Sequence, residues 1–249
     1  MQCLCNSSTY LYLLKPIECA TLNSFSKYLQ TLSATPLYVL SPSIPLRDYC
    51  FLDLSVTNEA LKDVDLTSPT AMQNYIDSDL KINNAKVSYG GYLEQRNLYK
   101  RSTYFSAESN EKERNIHLGL DLWIASGTQI FAPLDGKLHS FNNNTNHGDY
   151  GPTLILKHLT NDVEFYTLYG HLSLESLNEK TVGQTFKKGD SIATLGEPNV
   201  NGDYAPHLHF QIMKDLEGNH GDYPGVASPE TLEHYKTNCP DPNLLLKIR

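Results

Sequence analysis

The sequence predicts a mainly β protein, an antiparallel β-sheet or β-sandwich domain over residues 89–249 behind a small α/β region over residues 1–88. Two observations lead there. After residue 88, short runs rich in Val, Ile, Tyr, Phe and Thr recur between Gly, Asn and Asp, and strands this short and closely spaced pair antiparallel. Before it, two segments of helical character flank one short apolar run.

In chain order, residues 20–34 read as a helix, and Pro36, Pro42 and Pro45 then break the chain. Residues 49–56 read as a short strand. Thr67-Ser68-Pro69 is a start signal for a second helix reaching about Leu80. Beyond residue 88, strands are expected at 130–133, 136–139, 153–158, 163–169, 191–195 and 208–213. Residues 142–149 are too polar to bury and read as a loop. Asp135-Gly136 and Lys188-Gly189-Asp190 read as hairpin turns.

Composition narrows the function. Charged residues make up 19% and hydrophobic residues 40% of 249, the balance of a soluble globular chain. No run of about 18 apolar residues occurs, so no membrane-spanning helix is expected. The net charge is −8 with no basic stripe, which removes the main electrostatic term of nucleic-acid binding. No Lys or Arg precedes Lys15, and the apolar stretch around Leu11 to Leu14 is short for an export signal. A cytoplasmic location is therefore expected, a mature secreted or periplasmic form being the alternative. The five cysteines, Cys3, Cys5, Cys19, Cys50 and Cys239, are odd in number and lack zinc-ribbon spacing, so free thiols are expected.

The chemistry lies in three segments. In His117-Leu118-Gly119-Leu120-Asp121-Leu122, polar and leucine positions alternate, which predicts a strand with His117 and Asp121 on one face and Gly119 leaving space between them. His207-Leu208-His209-Phe210-Gln211-Ile212 repeats the alternation behind Pro206, so His207 and His209 share a face. Either of these two could be the ligand on that strand. His171 follows an apolar strand and Gly170, at a loop position suited to reaching into a site. Imidazole and carboxylate are donors that Zn2+ favours, and three protein ligands leave a fourth position for water. A metal there lowers the pKa of water towards about 7 and polarises a carbonyl, while a further His handles the proton.

His117-Leu118-Gly119-Leu120-Asp121 and His207-Leu208-His209 resemble the H-x-G-x-D and H-x-H signatures of the lysostaphin-type zinc metallopeptidases, peptidoglycan endopeptidases built on a duplicated β hybrid motif. The likeness runs from about residue 115 to 213 and includes the turn at 132–136, Tyr169-Gly170-His171-Leu172 and the hairpin at 186–190. It implies that His117, Asp121 and His209 are the zinc ligands. His171 and His207 would then flank the attacking water as general base and transition-state stabiliser. It further implies an endopeptidase for short Gly- or D-amino-acid-containing peptides, such as peptidoglycan cross-links. Gly91-Tyr92-Leu93-Glu94-Gln95-Arg96-Asn97 and Tyr223-Pro224-Gly225-Val226-Ala227 resemble the subgroup found fused to class III aminotransferases.

Tyr204, three residues before His207, is a candidate contact to an oxyanion or substrate. His220 and Asp222 look like spare ligands in a Gly-rich loop. His139, His147, His158 and His234 read as strand-surface or loop residues, and Trp123 as packing beneath the first motif. The alternative function is a zinc-binding regulator or partner protein without peptidase activity, which fits less well because all five site positions are filled. A phosphocarrier of the same hybrid-motif class would need neither Asp121 nor His117.

Overall fold

The computed structural model describes residues 24–101 and 113–248. The stretch read for an export signal, residues 20–23 of the expected first helix, and Cys3, Cys5 and Cys19 lie outside them. The N-terminal part holds α1 (Ser24–Leu32), β1 (Tyr49–Phe51), α2 (Pro69–Ile82) and β2 (Val87–Gly90). Then come β3 (Ile116–His117), β4 (Leu120–Trp123), β5 (Gln129–Phe131), β6 (Gly136–Asn144), β7 (Gly151–Thr160) and β8 (Val163–Gly170). β9 (Thr185–Phe186), β10 (Ser191–Thr194), β11 (His207–Met213), β12 (Val226–Ala227), α3 (Leu232–Asn238) and α4 (Asn243–Leu246) follow. The architecture is mainly β, as expected.

Eight strands form one sheet in the order β1-β2-β4-β11-β8-β7-β6-β9, while β5 pairs with β10 and β3 with β12. Only β1 and β2 run parallel; the other neighbours are antiparallel. Asn161 and Asp162, both at positive φ, close the β7–β8 hairpin as a two-residue turn of the kind that matches strand twist. Residue 88, where the composition changes, lies inside β2, and β2 pairs with β4. The N-terminal region is thus built onto the same sheet.

Period-two alternation gives the central strands two faces. Leu120, Leu122, Leu208, Phe210 and Ile212 point into the larger core, where the β5–β10 ribbon, α1 and α4 cover them. Asp121, His207, His209 and Gln211 point to the other face. α2 begins as its start signal predicts, with Ser68 Oγ accepting from Ala71 N–H and Pro69 in the first turn. Its Met72 and Ile76 pack with Leu52, Leu54 and Trp123.

Several expectations change. The first strand ends at Phe51 rather than continuing to residue 56. The polar loop expected from residue 142 begins later, because β6 runs on to Asn144. Asn144 is buried there with its amide donating to Thr153 Oγ1 at 3.1 Å and to Gly221 O at 3.0 Å, so its polarity is satisfied by partners instead of water. The bends at 135–136 and 187–190 do not close hairpins; each leads from one sheet to another.

His158 is fully buried, contrary to the expected surface position. Its Nδ1–H donates to Asp135 O at 2.8 Å, and burial lowers its pKa to about 4. A folded-state pKa below the unfolded value of 6.5 gives stability that is full above pH 6.5 and lost as pH falls towards 4. Between pH 7.5 and pH 5, His158 should account for about 2 kcal/mol of lost stability. Urea unfolding of H158Q at both pH values is expected to show a difference smaller than wild type by that amount.

Candidate metal centre

His117 and Asp121 do not share one strand. The chain breaks at Leu118-Gly119, so His117 sits on β3 beside β12 and Asp121 on β4 in the main sheet. Leu118 N–H turns to Gly225 O, and the Leu118 side chain joins Ile155, Leu168 and Met213 instead of the core of Leu120 and Leu122. Gly119, within this break, lacks a side chain for a specific reason. A Cβ there would lie 2.5 Å from Cε1 and 2.6 Å from Nε2 of His209, so the glycine makes room for a ring of the site itself.

Register completes the arrangement. Gly90, Asp121, His209 and Gly170 face one another in a row across β2, β4, β11 and β8. His117 Nε2 and His209 Nδ1 approach to 2.9 Å, and each lies 3.2 Å from Asp121 Oδ1. Among the described residues, this is the one group of His, Cys, Asp and Glu atoms close enough to hold a metal ion.

Hydrogen bonding fixes what these atoms offer. His117 Nδ1 lies 3.0 Å from Gly91 O, which can only accept, so the proton is on Nδ1. Gln211 Nε2 donates to Pro224 O, which turns Gln211 Oε1 towards His209 Nε2 at 2.9 Å and puts the His209 proton there. His117 Nε2 and His209 Nδ1 therefore face each other with lone pairs. Burial lowers the His117 pKa to about 3, so that ring stays neutral. Asp121 Oδ1 is buried with no hydrogen-bond partner. Burial opposes its charge, but the Arg96 cation on Oδ2 helps to hold the carboxyl well below the usual carboxylate range.

Three inward-facing donor atoms without protons between them suit a cation at their centre. Donors around tetrahedral zinc at about 2.0–2.2 Å stand about 3.4 Å apart. The 2.9 and 3.2 Å sides fit a small divalent ion of that kind. The N–H of each imidazole is also held by an oxygen, the support that metal-binding histidines require.

His171 and His207 stand beside this triangle, their ring centroids 4.2 Å apart. His171 takes a positive φ of 62°, which turns it back from the end of β8. Its Nδ1–H donates to Asn201 O and that of His207 to Ala205 O, both at 2.7 Å. Both Nε2 atoms are left as acceptors. Burial lowers both pKa values, His171 the further because His207 and His209 crowd it. His207 also stacks on Trp123, which α2 backs.

Tyr204 lies against both rings, and its hydroxyl donates to Gly148 O. Asp222 lines one cleft with His117, Asp121 and His209 without joining the triangle, whereas His220 stacks on His139. Sequence reasoning missed Tyr150, whose ring packs 5.0 Å from that of His209, and the buried pair Glu94 and Arg96. The i, i+2 opposite charges were a visible signal for that pair, but no periodicity tied them to the site. Among the described residues, Cys50 and Cys239 form no disulfide.

Residues 115–222 match the family model for Peptidase family M23, and all five His and Asp positions lie within that span. An uncharacterized metalloprotease of Haemophilus influenzae is 34% identical over 96 residues, covering 39% of this chain. The chain spans only 18% of that curated protein's length. The catalytic domain of lysostaphin from Staphylococcus simulans is 24% identical, with 63% of this chain and 96% of that one covered at a TM-score of 0.36. A zinc-containing peptidase from Vibrio cholerae is 25% identical, with 43% and 30% covered at 0.32.

Proposed function

We propose, taking the Peptidase family M23 match over residues 115–222 as premise, that this chain is a zinc-dependent endopeptidase. Its substrates would be short Gly- or D-amino-acid-containing peptides of the peptidoglycan cross-link type. The observation that carries the reading is the triangle of His117 Nε2, Asp121 Oδ1 and His209 Nδ1, with the outer nitrogens already donating elsewhere.

When bound, zinc supplies Lewis acidity, polarising the scissile carbonyl and making water a nucleophile near neutral pH. The rest falls to the side chains. His171 and His207 are neutral, with tautomers fixed by the carbonyls of Asn201 and Ala205, so each presents a basic Nε2. One Nε2 takes the proton as water attacks and, as an imidazolium beside the second ring, stabilises the developing oxyanion before passing that same proton to the leaving amine. The Tyr204 ring packs edge-on against these two histidines. The aminotransferase-fused subgroup is part of the proposal. Its two signature stretches both touch the site, Gly91 through its carbonyl on His117 and Pro224 through its carbonyl on Gln211.

Protein purified without added metal is expected to carry about one zinc per chain and to cleave a panel of peptidoglycan-derived peptides. H117A and D121A should each lose the metal, measured by elemental analysis. A wild-type protein that holds zinc but leaves every peptide intact would refute the peptidase reading. Absence of metal from the wild-type protein would refute the site as well.

A further inference from the structure

Arg96 is a buried cation, its side chain 1% exposed. Its Nε donates to Glu94 Oε2 at 2.6 Å and its Nη1 to Asp121 Oδ2 at 2.5 Å. The second Glu94 oxygen, Oε1, accepts from Leu54 N–H at 3.1 Å. A hydrogen-bonded chain thus runs from the backbone of the N-terminal region, through Glu94 and Arg96, to the aspartate of the metal triangle.

Space for this chain is built in. Gly91 sits at φ 104°, and a Cβ there would lie 1.8 Å from Arg96 Nη2 and 2.9 Å from His117 Nδ1. The glycine carbonyl orients His117 while its bare α-carbon admits the guanidinium. Arg96 also lies over the Trp123 ring, the surface on which His207 stacks.

The geometry has a consequence for Asp121. An unrestrained carboxylate rotates about χ2, which is broad, and offers either oxygen or both to a cation. Here Oδ2 is occupied by Arg96, and Oδ1 alone faces His117 and His209. We propose that Arg96 is a positioning residue of the metal site, holding Asp121 as a one-oxygen donor, and that Glu94 anchors it to the N-terminal region. This rests on the reading that Asp121 is a metal ligand.

The test is zinc affinity of the folded protein, measured by competition with a chromophoric chelator, for wild type, R96K and E94Q. Lysine keeps the charge but cannot reach two carboxylates with a planar fork. Weakening of about 10- to 100-fold is expected for R96K, the range for groups that orient metal ligands. E94Q keeps an acceptor for Leu54 N–H and loses the anchor charge, so a smaller weakening of at least about threefold is expected. A merely structural ion pair would lower the melting temperature of the metal-free protein and leave zinc affinity unchanged. Wild-type affinity in E94Q, and in R96K where it folds, overturns the inference while leaving the zinc reading intact. Zinc-free wild-type protein overturns both.

Discussion

Replacing Gly119 with alanine is expected to weaken zinc binding by about 100-fold or more while the sheet stays folded. The backbone at Gly119 is not in the left-handed region, so the added methyl meets no positive-φ strain. It does meet the His209 ring at 2.5 and 2.6 Å, and Phe210 O at 3.0 Å. Backbone cannot yield easily between β4 and β11, so the ring must. A displaced His209 removes one corner of a triangle whose sides are 2.9 and 3.2 Å, and metal sites tolerate misplacement of only about 0.5 Å. Circular dichroism with zinc titration checks this. Wild-type zinc affinity in G119A would show that His209 is not held where the donor set needs it.

The second large effect separates holding the metal from using it. H171A and H207A are each expected to retain zinc and to lose peptide turnover by about 10²- to 10⁴-fold, the usual contribution of a positioned acid or base. Neither ring belongs to the triangle, and His207 Nε2 is 3.9 Å from Asp121 Oδ1. Elemental analysis and peptide hydrolysis on the same preparations measure both halves. Loss of zinc in H207A would make that residue a ligand, and unchanged turnover in both variants would remove the proton-transfer role.

Much of the site could be seen in the sequence because strand alternation is a local property. His207 and His209 share a face with Gln211 through period two alone, and the apolar partners on the other face are all buried. The break between His117 and Asp121 was not legible in the same way. Two alternating halves look like one strand, and what parts them, the pairing of His117 with Val226 and the bond of Leu118 N–H to Gly225 O, is made by residues far along the chain. Arg96 was further out of reach, since its partners are 2 and 25 residues away and no repeat links them. Asn144 and His158 misled for a related reason. Polarity predicts exposure only where no partner waits inside, and long-range partners leave no mark on a short window.

The pairing of β2 with β4 bears on how the protein could be divided. β4 carries Asp121, and without β2 one side of it would become an open edge, a row of unsatisfied N–H and C=O groups able to recruit a strand from another molecule. Gly90, Tyr89 and Ser88 close that edge. A cut at residue 89 would not release a self-contained domain from an appendage. It would expose a sticky sheet margin at the strand that carries the site's aspartate.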